Sequence, residues 1–183
     1  MAFVQTGRFG QIEVSSEEII SIPSGVLGFP EDHNFCLVDP GDDTLILWLQ
    51  SLSNPRLAFP VLEPKIFKPE YLVRLSAAEL RELRLASIKD ASVFTILTIP
   101  ANMSEMTANL KAPLVINIKE KTAKQVVLQE NDQPIKFAMF KELRAHLITA
   151  AAASKATASV ASKLPLSAVE VKHLPVNTRV ELI

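Results

Sequence analysis

Apolar and polar positions alternate along much of the first 130 residues, and this two-residue period predicts strands rather than helices. From Phe9 onward, residues 8–14 (Arg-Phe-Gly-Gln-Ile-Glu-Val) read as a half-buried strand. Further strands are predicted at Phe35–Val38, Thr44–Leu52, Leu57–Leu62, Tyr71–Leu75, Val93–Ile99, Leu114–Ile118 and Lys124–Gln129. Thr44–Leu52 is apolar on both faces, with Leu45, Leu47 and Leu49 one way and Ile46 and Trp48 the other, so it is expected at the centre of a sheet. Pro60 cannot donate to a ladder and marks its strand as an edge or a bulge.

Turn chemistry separates these runs. Pro23-Ser24-Gly25-Val26-Leu27-Gly28-Phe29-Pro30 packs two prolines and two glycines into eight residues. Asp39-Pro40-Gly41-Asp42 suits a type II hairpin turn, and Ser16-Glu17-Glu18 starts a short turn before Ile19. Ser76-Ala77-Ala78-Glu79 is a capping box, with Leu75 and Leu80 placed as a hydrophobic staple and Leu83 continuing the buried stripe. That helix is expected to end near Ala86 or Ser87. Between the strands at Val93–Ile99 and Leu114–Ile118 lies a loop of about a dozen residues, a length at which loops tend to be functional or disordered rather than merely connecting. Within it Ala101–Thr107 reads as a helical turn capped by Asn102 or Ser104. Met103 and Met106 read as core plugs, and Asn109 and Asn117 as partners for buried backbone.

About eight short strands with regular turn signals and one or two helices point to a mainly β (α+β) fold. The expected form is a small antiparallel β-barrel or sandwich. From Met139 the character changes: residues 141–161 hold four consecutive alanines and no Gly or Pro, so helix propensity is high. Leu143, Leu147 and Ile148 form a narrow stripe able to dock on the body, while Pro165 and Pro175 exclude one continuous helix. The chain divides into a β-barrel-like domain, 1–138, and a helical extension with tail, 139–183. The last twenty residues read either as a mobile tail or as an added strand near Thr178–Ile183.

Composition narrows the function. The 183 residues are 48% hydrophobic, enough for one core, yet no run approaches the eighteen or so apolar residues of a membrane span. The start, Met-Ala-Phe-Val, has no long apolar region behind it, so a cytoplasmic protein without membrane contact is expected. The single Cys36 excludes an internal disulfide. Net charge is −1, but residues 1–64 carry nine acidic side chains against two basic ones, a local −7. An acidic front argues against direct nucleic-acid binding and fits a basic protein partner.

Chemistry has little to stand on. His33, His146 and His173 lie at no metal-ligand spacing from one another or from Cys36, and Asp42-Asp43 reads as a solvated turn. No nucleophile elbow, phosphate loop or zinc-protease motif is present, so neither catalysis, metal nor cofactor is expected. Phe9, Phe29, Phe35, Trp48 and Phe59 are not interleaved with Lys or Arg and read as core rather than as stacking platforms for RNA. The residues alone support a β-rich, non-enzymatic binding domain.

Three separated blocks carry a resemblance: Ile22-Pro23-Ser24-Gly25-Val26-Leu27-Gly28-Phe29-Pro30-Glu31; Trp48-Leu49-Gln50-Ser51 with Asn54-Pro55-Arg56-Leu57-Ala58-Phe59-Pro60-Val61; and Met106-Thr107-Ala108-Asn109-Leu110 with Ala112-Pro113-Leu114-Val115-Ile116-Asn117. Together with Gln125-Val126-Val127-Leu128 they resemble the bacterial flagellar assembly factor family FliW, over about residues 7–130. The resemblance implies an antiparallel β-barrel-like domain that binds flagellin and also binds CsrA, the translational repressor of flagellin mRNA, relieving its repression. A flagellin-dedicated chaperone without regulator binding is the alternative. Pro23, Gly25, Gly28, Pro55, Pro60 and Pro113 are expected to fix turns. Polar groups beside them are the expected partner contacts: Asn54, Asn102, Glu105, Thr107 and Asn109, with the acidic Glu17, Glu18, Glu31 and Asp32.

Overall fold

The computed structural model describes residues 1–41, 45–86, 90–129 and 132–145, and the backbone of 180–182. In chain order the strands are β1 (Ala2–Thr6), β2 (Gly10–Val14), β3 (Ile20–Ser21), β4 (Asn34–Val38), β5 (Leu47–Ser51), β6 (Ala58–Leu62) and β7 (Val73–Leu75). They continue as β8 (Ala91–Thr98), β9 (Thr107–Ala108), β10 (Leu114–Asn117), β11 (Thr122–Gln125), β12 (Phe137–Ala138) and β13 (Val180–Leu182). Helix α1 spans Ala77–Glu82, and residues 140–145 open a second helix, α2.

Seven of these strands close on themselves in the order β10-β11-β3-β4-β5-β6-β8, with β8 pairing back to β10. The expected mainly β barrel is therefore present, and closure removes the open sheet edges that would otherwise invite aggregation. Alternate side chains point inward: Ile20, Phe35, Leu49, Val61, Phe94, Leu114 and Ile116 form one buried cluster. A second cluster lies on the other face of β8 and β10, where Val93, Leu97 and Val115 pack with Leu62, Tyr71, Leu75, Leu83, Met106, Leu110 and Met139. Both faces of these two strands are thus buried, which explains their nearly continuous apolar runs.

As expected, β5 is central, between β4 and β6. It is shorter than the apolar run, and Thr44 lies outside the described residues, as do Asp42 and Asp43. The β6 strand is not an edge, because it pairs with both β5 and β8. Pro60 is tolerated because β8 pairs only with Val61 and Leu62, leaving Pro60 short of that ladder. The last barrel strand, β11, begins at Thr122, two residues before the predicted run. Val126 and Leu128 still donate their N–H groups to the Pro113 and Lys111 carbonyls. Alternation missed β1, which pairs with β2 as a separate hairpin, and also β9 and β12, which pair with each other.

The capping box forms: the Glu79 N–H donates to Ser76 Oγ at 3.3 Å, and the Ser76 N–H donates to Glu79 Oε2 at 2.7 Å. The helix nevertheless stops at Glu82, short of the expected end. Arg84 adopts φ +50°, and its N–H donates to the Arg81 carbonyl while that of Leu85 reaches Leu80. This is a Schellman closure with arginine where glycine is usual. Asn117 holds it from β10, its Nδ2 donating to the Leu83 and Arg84 carbonyls at 2.8 and 2.9 Å. The same side chain's Oδ1 accepts from the Lys119 and Glu120 N–H groups, so one buried amide organises both the helix end and its own hairpin turn.

The expected helical turn at Ala101–Thr107 contracts to a single 3-10 turn, Met103–Glu105, capped by Asn102. Met106 is a core plug, but Met103 is not: it stands 49% exposed at the tip of the turn. A three-residue turn presents only one side to the core, and Met106 occupies it. Asn109 accepts from the Ala112 N–H at 3.1 Å, as expected. At the chain end the strand alternative is realised, with Val180–Leu182 pairing parallel to Val73–Leu75. Met139 is fully buried and Leu143 packs beside it, whereas Leu147 and Ile148 lie outside the described residues.

Candidate protein-binding surface

The expected contact residues fall into three groups. Glu17 and Glu18 sit on a 3-10 turn, Ser16–Glu18, and border an open depression with Lys119 and Lys121. The Ser15 N–H donates to Glu18 Oε2 at 2.7 Å. That bond holds the Glu18 carboxyl below its ordinary range, with the Ser15 side chain and then Lys121 as lesser causes. Glu18 is therefore engaged in holding its own turn, while both acidic groups face lysines rather than forming an isolated negative patch.

The second group joins Asp32 to Asn54. Asp32 Oδ1 accepts from Ser51 Oγ at 2.6 Å and from Ser53 Oγ at 2.8 Å, and Ser51 Oγ accepts from the Asn54 N–H. Asn54 Oδ1 in turn accepts from the Arg56 N–H at 3.2 Å. Below them Gln50, fully buried, donates Nε2 to the Ser51 and Leu57 carbonyls. These bonds make the 51–57 loop a rigid platform rather than a loose connection. Glu31, one residue before Asp32, is exposed.

The third group is the knuckle over the outer core. Asn102 Oδ1 accepts from the N–H and hydroxyl of Ser104, and its Nδ2 donates to Glu105 Oε1 at 3.0 Å. Asn102, Met103 and Glu105 form an exposed polar rim around one apolar tip, whereas Thr107 and Asn109 are half-buried. No hydrogen bond or ion pair among the described residues joins the three groups.

The barrel end adds apolar surface. Gly25 has φ +66°, and an added Cβ there would sit 2.4 Å from the Phe29 carbonyl oxygen, so the turn demands glycine. The Leu27 N–H is tied to Gln125 Oε1 at 2.9 Å, yet its side chain is 57% exposed beside partly exposed Phe29. Phe29 meets Phe59 edge-on at 5.3 Å. Of the aromatics expected in the core only Phe35 is buried: Phe9 and Phe59 are half-buried, Phe29 is exposed, and Trp48 is half-buried and carries Arg8 over its ring at 3.9 Å. Sequence spacing did not interleave Trp48 with a cation; the β1–β2 hairpin supplies one through space.

Among the described residues no group of three His, Cys, Asp or Glu is placed to hold a metal ion, and no helix is long and apolar enough to cross a membrane. His146 and His173 lie outside the described residues. Rigid loops with exposed polar and apolar tips on a closed barrel are the geometry of a binding scaffold.

The FliW protein family matches residues 3–139. The chain belongs to the FliW family. Among similar proteins, the flagellar assembly factor FliW of Bdellovibrio bacteriovorus is 41% identical over 145 residues, covering 79% of this chain and 83% of that protein. The flagellar assembly factor FliW of Treponema denticola is 38% identical over 142 residues, 78% of this chain and 96% of that one. A crystal structure of the flagellar assembly factor FliW superposes with a TM-score of 0.72 at 32% identity, covering 76% of this chain and 97% of the other. The FliW match runs past the motif-bearing blocks to include β12 and Met139, which seals the outer core.

Proposed function

We propose that this chain acts in the cytoplasm as a partner-switching, non-enzymatic factor that binds a CsrA-type translational repressor, relieves its hold on flagellin mRNA, and also binds flagellin. Membership of the flagellar assembly factor family carries the reading. The acidic first third, −7 over residues 1–64, supports a basic protein partner and disfavours direct contact with nucleic acid. Partner contact is assigned to Asn102 and Glu105 on the knuckle, to Asp32 and Asn54 on the 51–57 platform, and to the exposed Glu17 and Glu31. Thr107, Asn109 and Glu18 contribute by holding these loops in shape. Residues 1–138 form the binding unit, and 139–183 are an extension anchored by Met139 and Leu143.

Calorimetric titration of the purified chain against CsrA and flagellin separately tests the reading, with binding to both expected. Binding to flagellin alone would favour the dedicated chaperone. Reversing Glu17 and Glu18 to Lys should slow association with the basic regulator, more at low salt than at high, since rim charges act mainly on encounter. Unchanged kinetics at both salts would remove this turn from the interface.

A further inference from the structure

The only two cations among residues 1–64, Arg8 and Arg56, line one cleft, together with Gly7, Trp48, Gln50 and Pro55. The cleft, of about 270 Å³, lies on the outer face of β5, where the β1–β2 turn docks against the 51–57 platform. The docking bond is short: the Gly7 N–H donates to the Pro55 carbonyl at 2.7 Å, and a Cβ at Gly7 would stand 3.2 Å from that oxygen. Arg8 is held by the Trp48 ring, which is itself braced edge-on by Phe9 at 5.9 Å. Both arginines are exposed, and neither has a carboxylate within ion-pair distance among the described residues.

Gln50 supplies the second observation. Its Nε2 faces the carbonyls of Ser51 and Leu57 at 2.9 and 3.0 Å, with those of Asn54 and Pro55 slightly farther, which fixes the orientation of the amide. Among the described residues its Oε1 has no donor, and the side chain has no solvent exposure. The cleft thus offers two guanidinium groups with no carboxylate partner among the described residues, over a floor closed by the buried Gln50 amide.

We propose that this cleft is a binding site for an acidic side chain, Asp or Glu, presented on an extended segment of a protein partner. The carboxylate sits between Arg8 and Arg56 in charge-assisted hydrogen bonds, with the Trp48-stacked Arg8 held in place to receive it. A nucleic-acid phosphate fits less well, because the surrounding −7 of residues 1–64 repels a polyanion while admitting a single carboxylate into so small a volume. The proposal rests on the reading of the chain as a protein-binding factor, but not on which proteins it binds.

Trp48 is the only tryptophan, so its fluorescence reports on the cleft directly. The full chain is titrated with the capped peptide acetyl-Ala-Ala-Glu-Ala-Ala-amide, its Gln analogue, uncapped penta-alanine and inorganic phosphate. The Glu peptide is expected to saturate a fluorescence change at least roughly tenfold more tightly than the Gln analogue. Arg8→Gln and Arg56→Gln should each abolish that preference, and Arg8→Lys should retain part of it. If Arg8→Gln loses its fold by circular dichroism, Arg56→Gln decides, since the Arg56 side chain is exposed. Equal binding of the Glu and Gln peptides, or an unchanged preference in Arg56→Gln, would overturn the proposal. So would a response only to phosphate, or only to the free carboxyl terminus. Short peptides separate this site from the partner assignment: loss of CsrA or flagellin binding with an intact Glu preference would sink only the latter.

Discussion

Inside the barrel Phe94 faces Leu114 across β8 and β10, and on the opposite face of the same strands Val93 faces Val115. The inner side is lined by strands whose pairing partners are fixed by closure of the ring. The outer side is covered by pieces with little pairing of their own: β7, α1, the 103–110 knuckle, β12 and the start of α2. Polar bonds position those pieces, notably Tyr71 Oη donating to the Leu110 carbonyl at 2.7 Å and Asn117 gripping the end of α1. The contrast teaches that one pair of strands can carry two cores of different cooperativity. The inner core opens only if the barrel opens, whereas the outer core can loosen piece by piece.

A matched pair of truncations tests whether the two cores are independent. Leu114→Ala inside should cost about 3–5 kcal/mol by chemical denaturation, with all amide protons losing protection together. Met139→Ala outside should cost about 2–3 kcal/mol and expose amides mainly in 103–110 and 137–143 by hydrogen exchange. Equal, global losses would make the two clusters one core. Next in size, Asn117→Ala strips four hydrogen bonds and leaves the Leu83 and Arg84 carbonyls without their donor. A loss of about 2–3 kcal/mol is expected, with the helical signal of α1 melting first.

Ser76→Ala removes the cap of α1 and should cost about 1 kcal/mol, while Ser76→Gly should recover most of it. A smaller effect is expected at Glu63, where burial pushes the carboxyl above its ordinary range and Oε2 has no partner among the described residues. A raised folded-state pKa means that the folded chain binds this proton more tightly than the unfolded one. Stability from this group is therefore greatest at acid pH and is lost as pH rises through the folded value. Glu63→Gln should accordingly raise the melting temperature slightly at pH 7 and flatten its dependence on pH above the ordinary carboxylate range. A variant less stable than the parent at neutral pH would show that the carboxylate has a partner in solution.

The inner core was legible because period-two alternation is a local property: each strand buries its own odd or even positions, and Phe35, Leu49, Val61 and Leu114 follow from that alone. The capping box at Ser76 and the glycine turn at Gly25 are likewise local, since their partners lie within a few residues. Polar bonding by Asn109 was legible for the same reason, with its partner three residues away. What spans the fold was not legible. The end of α1 is set by Asn117, over thirty residues away in sequence, which lets Arg84 take a conformation that usually asks for glycine. Strands β9 and β12 are two residues each, too short for any period to show, and exist because β9 takes its hydrogen bonds from β8 on one side and β12 on the other. The cleft of Arg8 and Arg56 is the clearest case. Its two cations are separated by nearly fifty positions in an acidic stretch, and only the docking of the β1–β2 turn on the 51–57 platform places both on one cleft beside Trp48. Local patterning determined which residues lie inside the barrel, while tertiary closure decided which polar groups meet on its surface, because charges and amides take their partners from whatever the fold brings near.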